Sequence, residues 1–497
     1  MRGAGIRAKS TARGCRALAV GTVMLVAAGA PAAAAAAAGW TSYLGGARHP
    51  SYTTNAQITK ASAGHLRLAW SWKPDPPTMA GQPGSGMFAS PTTYNHRIYI
   101  GAHTGVFYGL NETTGGVLWK RFLGFQPART CGQPLGFVST AAVVPVPNSS
   151  GTGTTPVVYV AAPNGYLYAL DGVSGAVRWR SLIVLPSTTV SDAFNWSSPT
   201  IVGSRIYVGF SSNCDNPWIR SGVMEFDRNT GARLATWYAV PPGSIGGGVW
   251  TSVAATTDGV FATTGSTCEP GVPASTGCTA TNQPGDSYEM VRLDPTSLSK
   301  QAAWKLPATE LKLAGDPDWG SSPVVFNANL SGVVTRLVGA CHKNGYFYVL
   351  RTGGLAAPVW KAKVGTAAND GGDSCLAAAI YDGSRLFLAG NTTTISGAGY
   401  QGSVRRVNPA TGTTLWATGL SANVLGTPAL NGASVIAAAT HDFIPAGLLN
   451  QTYLLDADTG ARLGTISNGK EFAQPVFSDQ YLLLTGAYTN TLSAYTP

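Results

Sequence analysis

Six cysteines lie beyond residue 38: Cys131, Cys214, Cys268, Cys278, Cys341 and Cys375. An even number behind an export-type leader predicts up to three disulfides, with free buried thiols as the other reading. Cys268 and Cys278 flank a Pro/Gly/Ser loop and are the expected pair. No C-x-x-C-H occurs, so no attached c-type haem is expected. The six histidines are scattered without metal-ligand spacing. Neither a G-x-S-x-G elbow nor a Gly-rich phosphate loop after a strand is found, which leaves hydrolase and nucleotide chemistry little support.

The elements that position any site are written in a repeat. GYLYALDGVSGAVRWR, residues 165–180, reads as an alternating strand, a tight turn and a second strand ending in Trp179. Related copies end at Trp119, Trp237, Trp304, Trp360 and Trp416, and TYLLDADTGARLGTI repeats the pattern without tryptophan. The turn glycines are Gly115, Gly175, Gly231, Gly354, Gly412 and Gly460, with Leu298 in the fourth copy. A period of about 50–65 residues means a propeller or solenoid. Each copy is preceded by Ser/Thr-Pro or a variant of it and a further strand pair, as at Ser90, Ser198, Thr427 and Gln474. Four antiparallel strands make one propeller blade.

Seven copies are complete. An eighth opens at the C-terminus with NTLSAYTP and finds its missing outer strand in SAGHLRLAWSW, residues 62–72. The prediction is an all-β, eight-bladed propeller over 61–497, closed by strands from both termini so that no edge stays open. Each tryptophan is expected to slot between blades, with its indole N–H on a carbonyl of the adjacent turn. Residues 39–60 are expected as an extension lying over the closure.

Residues 1–38 combine Arg2, Arg7, Lys9, Arg13 and Arg16 with an apolar stretch and an alanine run. This is the pattern of a secretory signal peptide, so a secreted protein is expected. Removing those five cations lowers the net charge from +10 to +5. With no basic block interleaved with aromatics, nucleic-acid binding is disfavoured. No later apolar run reaches 18 residues, so no membrane span is expected. Oligomeric state is not legible.

The A-x-D-x-x-T/S-G-x-x-x-W repeat resembles the docking motif of the quinoprotein dehydrogenases, eight-bladed propellers that hold pyrroloquinoline quinone (PQQ). It is shared with non-catalytic relatives such as outer-membrane assembly propellers. Four stretches outside it resemble the catalytic branch, nearest in pattern to its polyvinyl-alcohol-dehydrogenase-like members. GGGVWTSVAATTDGVFATTGS (246–266) implies Trp250 as the floor under the quinone; this residue stands outside the tryptophan repeat and follows three glycines. DPDWGSSPVVF (316–326) implies Asp318 as general base. CHKNGYFYVL (341–350) implies Lys343 as the cation on the quinone carbonyls. NWSSPTIVG and GFSSNCDN imply hydroxyls from Ser197 and Ser212. For calcium, the resemblance points to Asp215 or Asn213 and to Ser266, which stands where the family has asparagine. The family's glutamate ligand and vicinal cysteines are absent.

In such a set, a carboxylate takes the hydroxyl proton of an alcohol as hydride leaves its carbon. A fixed cation and calcium stabilise negative charge on the carbonyl. Two readings follow. One is a secreted PQQ-dependent oxidoreductase acting on small or polymeric alcohols with an external electron acceptor. The other is a cofactor-free propeller that binds a protein or polysaccharide.

Overall fold

The computed structural model describes residues 39–127, 134–148, 151–185, 193–213, 219–265, 285–311, 317–366, 374–442 and 447–497. The leader, Cys131, Cys214, Asp215, Ser266, Cys268 and Cys278 lie outside them.

Eight antiparallel sheets form a ring among the described residues, an eight-bladed β-propeller. Blades 1 to 7 span 92–122, 142–182, 200–238, 254–305, 324–363, 380–420 and 429–466. Blade 8 takes its three inner strands from 476–496 and its outermost strand from Arg67–Trp72. In that closure Trp70 pairs with Ala494 and Trp72 with Leu492. The ladder satisfies backbone groups at both ends of the chain and removes the last open edge.

The tryptophans tie neighbouring blades together. The Trp119 indole N–H donates to Gly172 O at 3.0 Å, and its ring covers Gly175, where a Cβ would come within 2.4 Å. Trp360 repeats the contact on Pro409 O and Gly412, and Trp416 on Ala457 O and Gly460. Trp70, across the closure, uses Glu112 O and Gly115. The turn glycine is therefore needed twice, for a left-handed φ (+69° at Gly175) and for space under the ring. In the fifth copy that position belongs to Leu355 (φ +48°), not to Gly354, which faces open space. Leu298 in the fourth copy also takes it, at φ +54°. Both leucines are buried beside the preceding tryptophans, Trp304 and Trp237, so packing holds them in a conformation that costs a non-glycine residue roughly 1–3 kcal/mol.

The Ser/Thr-Pro positions form a belt around the channel. Ser90 N–H donates to Thr140 Oγ1, Thr140 to Ser198 Oγ, Ser198 to Ser252 Oγ and Ser252 to Ser322 Oγ, at 2.8–3.1 Å. Ala378 N–H donates to Thr427 Oγ1, and Gln474 N–H to Ser90 Oγ, both at 2.9 Å. A short hydroxyl side chain thus satisfies the neighbouring blade's first inner-strand amide.

Residues 40–55 form a strap. They run along the inner strands of six blades, three residues deeper than the belt. Carbonyls of Trp40, Thr41, Ala47, Arg48 and Pro50 accept from Thr93, Val143, Ala255, Val325 and Tyr381, while Ser51 O and Thr53 N bracket Leu430. Trp40 and Leu44 are fully buried in this strap. It answers inner-strand backbone groups that have no neighbouring strand at the channel axis.

Candidate active site

Inner strands place their side chains by alternation, so the residue two before each belt position faces the same way. Those residues are Phe88, Val138, Trp196, Trp250, Gly320, Leu376, Leu425 and Phe472, one per blade. All eight line a single cavity of about 470 Å³. Trp250 therefore has a repeat register of its own, that of the blade openings. The belt hydroxyls Ser90, Thr140, Ser198, Ser252, Ser322 and Thr427 line the same cavity. Tyr43, from the strap, lines it as well, and burial raises the pKa of its hydroxyl.

Asp318 and Lys343 also line it, so the fold converges Trp250, Asp318 and Lys343. The Trp250 indole N–H donates to Asp318 Oδ2 at 3.2 Å, and the Lys343 ammonium stands over the Trp250 ring, 5.3 Å from its centroid. Asp318 and Lys343 are each only 8% exposed.

Backbone pairing holds both charged residues. Lys343 N–H donates to Asp318 O at 3.1 Å, and Gly320 N–H to Cys341 O at 2.9 Å. Fully buried His342 locks the two loops: its Nε2–H donates to Pro317 O at 2.8 Å, and its Nδ1 accepts from Asn344 N–H at 3.1 Å. Both ring nitrogens are thus used by the neutral form. Trp319 packs edge-on against Trp304, His342 and Tyr348 beneath the loop. A Cys341–Cys375 disulfide, with Cα atoms 5.6 Å apart, ties the Lys343 loop to the segment entering blade 6.

Two glycines make room. A Cβ on Gly265 would stand 2.7 Å from Asp318 Oδ1, and one on Gly320 2.0 Å from Cys375 O. Across the ring the wall is aromatic: Phe88 meets Phe472 at 6.2 Å and Tyr488 at 6.1 Å between centroids.

The expected hydroxyls divide. Ser212 lines the cavity, where its Oγ accepts from Ile219 N–H at 3.0 Å. Ser197 is fully buried and turned away, its Oγ accepting from Gly209 N–H at 3.0 Å; Trp196 and Ser198 face the cavity in its place. Of the expected calcium ligands, Asn213 lines the cavity, and Asp215 and Ser266 lie outside the described residues. Sequence reasoning missed Tyr43, Phe88, Trp196 and Phe472. Stepping back two residues from each Ser/Thr-Pro variant would have found the last three.

The family described as glucose/ethanol/alcohol dehydrogenase, beta-propeller domain, matches residues 40–264. The ring of blades is an eight-bladed propeller, and the matched stretch within it is similar to a PQQ-type β-propeller domain. Comparison with curated proteins finds no significant match. Among solved structures, the chain is similar to the quinohemoprotein alcohol dehydrogenase from Comamonas testosteroni, at 15% identity and TM-score 0.69, covering 92% of this chain and 80% of that one. A europium-containing methanol dehydrogenase gives 15% and 0.68, covering 93% and 98%. BamB from Moraxella catarrhalis gives 13% and 0.52, covering 87% and 100%. At these identities the likeness is one of fold.

Proposed function

We propose that this protein is an extracytoplasmic, PQQ-dependent alcohol oxidoreductase whose site is the cavity around Trp250, Asp318 and Lys343. The observation that carries the reading is the convergence of an aromatic face, a buried carboxylate and a buried ammonium in one cavity at the channel. Its volume falls within the range of small-molecule and cofactor sites. Trp250 offers a flat surface, Lys343 a cation for an anionic ring system, and the belt a circle of hydroxyls. These residues fit a planar, carboxylated tricycle. Bound there, PQQ supplies a hydride acceptor.

The chain's own residues then have separate tasks. Asp318, oriented by the Trp250 indole N–H, takes the proton from the substrate hydroxyl. Lys343 steadies negative charge as it develops, and does so strongly because water is largely kept from it. The aromatic wall of Phe88 and Phe472 receives the alcohol's apolar part. Asn213, with Asp215 and Ser266, would supply oxygens to calcium. Small or polymeric alcohols are the substrates in this reading, with an external electron acceptor. The disulfide accords with export.

A cofactor-free binding propeller is the second reading. It draws on the position of Lys343, whose ammonium already lies over the face on which a quinone would stack. Titration of the purified protein with PQQ and Ca²⁺, read by absorbance and thermal shift, separates the two. Saturable binding lost in Trp250→Ala supports the oxidoreductase. No binding, or binding indifferent to that change, overturns it.

A further inference from the structure

At the end of the ring away from the cavity, three turn residues meet across the seam between blades 8 and 1. His96 follows the inner strand Thr92–Tyr94, Glu112 opens the outer turn of the same blade, and Asp479 follows the inner strand Val476–Ser478. Their ligand atoms, one imidazole nitrogen and two carboxylate oxygens, lie within 4.8 Å of one another. His96 Nδ1 is 2.9 Å from Asp479 Oδ2 and 3.9 Å from Glu112 Oε2.

Glu112 is only 2% exposed, and its Oε1 has no hydrogen-bond partner. The adjacent Ser478 hydroxyl gives its proton to Thr93 Oγ1 at 2.7 Å. His96 Nδ1 carries at most one proton, which its shorter contact directs to Asp479. A buried carboxylate left in this way is costly unless a cation meets it.

We propose that His96, Glu112 and Asp479 form a divalent transition-metal site that staples the ring-closing blade to the first blade. A tetrahedral ion bound at about 2.0–2.1 Å needs ligand atoms roughly 3.3 Å apart, so the observed separations require only small shifts. Imidazole beside two carboxylates selects Zn²⁺ over Ca²⁺ and Mg²⁺, which prefer all-oxygen sets. His96 is 64% exposed at its side chain, so the remaining position opens to water. The backbone supports the arrangement. His96 and Asp479 sit in tight turns at φ +56° and +45°, and Glu112 N–H donates to His96 O at 3.0 Å. Glu112 O also receives the Trp70 indole N–H, the docking contact that seals the closure. A metal here links residues more than 360 positions apart in the chain.

The test uses the full chain, stripped with a chelator and titrated with Zn²⁺ by calorimetry and thermal melting. One equivalent should bind, and the melting midpoint should rise with the logarithm of free Zn²⁺. Co²⁺ in its place should give visible ligand-field bands. His96→Ala and Asp479→Asn, both at solvent-accessible positions, should each weaken Zn²⁺ binding at least tenfold, and Glu112→Gln should do the same. Should Glu112→Gln fail to fold, the other two variants decide. Absence of stoichiometric Zn²⁺ binding, a preference for Ca²⁺, or undiminished Zn²⁺ binding in the His96→Ala/Asp479→Asn double variant overturns the proposal.

Discussion

The indole N–H of Trp250 points at the carboxylate of Asp318, 68 residues away in sequence and 3.2 Å away in space. A donor to one oxygen of a carboxylate fixes its rotamer. Trp250→Phe keeps a ring and removes the donor. A hydrogen bond to a charged group contributes about 1.5–3 kcal/mol, so alcohol-dependent dye reduction should fall roughly 10- to 100-fold. PQQ binding should change far less. Asp318→Asn should abolish dye reduction with PQQ binding retained. Equal loss of binding in both variants would refute the division of labour.

Gly265 makes room for the same carboxylate. Its substitution by alanine would place a Cβ 2.7 Å from Asp318 Oδ1, and the side chain has to move. Gly265→Ala should therefore lower turnover at least tenfold while the melting temperature changes little. A 1 Å misplacement of a catalytic group has effects of this size.

The Cys341–Cys375 disulfide closes a separation of 34 residues. In the chain-entropy view this is worth about 3–4 kcal/mol. Cys375→Ser should lower the thermal midpoint by several degrees. It should also weaken function out of proportion, because Lys343 lies two residues from Cys341. Melting with and without reductant, beside PQQ titration of the variant, checks both. Peptide mapping would also establish whether Cys268 and Cys278 are joined.

His49 is buried in the strap at φ +59°, with Nδ1 2.8 Å from Pro323 O. Burial lowers its pKa from 6.5 to about 4. The unfolded chain therefore binds the extra proton first as pH falls. Stability contributed by neutral His49 is complete above pH 6.5 and is lost between 6.5 and about 4, by roughly 3 kcal/mol. Denaturant midpoints measured at pH 7 and 4.5 should show this drop. His49→Asn, which tolerates a left-handed backbone, should flatten it.

Ending the chain at Ala487 removes the strand Thr491–Thr496 and leaves Arg67–Trp72 without its partner. The ring would then carry open edges, and the truncated chain should lose cooperative unfolding and aggregate. A sharp melting transition near the full-length midpoint would contradict the closure.

The propeller was legible because every blade repeats one local grammar. Alternation marks the strands, Asp171 and Gly175 mark a turn, and Trp119 or Trp179 marks the neighbour's docking place; each is a short-range constraint that the side chain states by itself. Even the closure could be read, since NTLSAYTP and residues 62–72 are halves of one pattern. Trp250, Asp318 and Lys343 could be named from resemblance. Only the fold could show them converging, because hydrogen bonds between blade openings bring together loops dozens of residues apart. Leu355 in place of Gly354 escaped because packing against Trp304 overrode backbone preference. The strap escaped because residues 40–55 lack strand periodicity; their conformation is dictated by inner-strand amides that exist only once the ring has closed. For the same reason His96 looked solitary in the chain. Glu112 and Asp479 become its neighbours only through the seam of blades 8 and 1, where the two ends of the sequence meet.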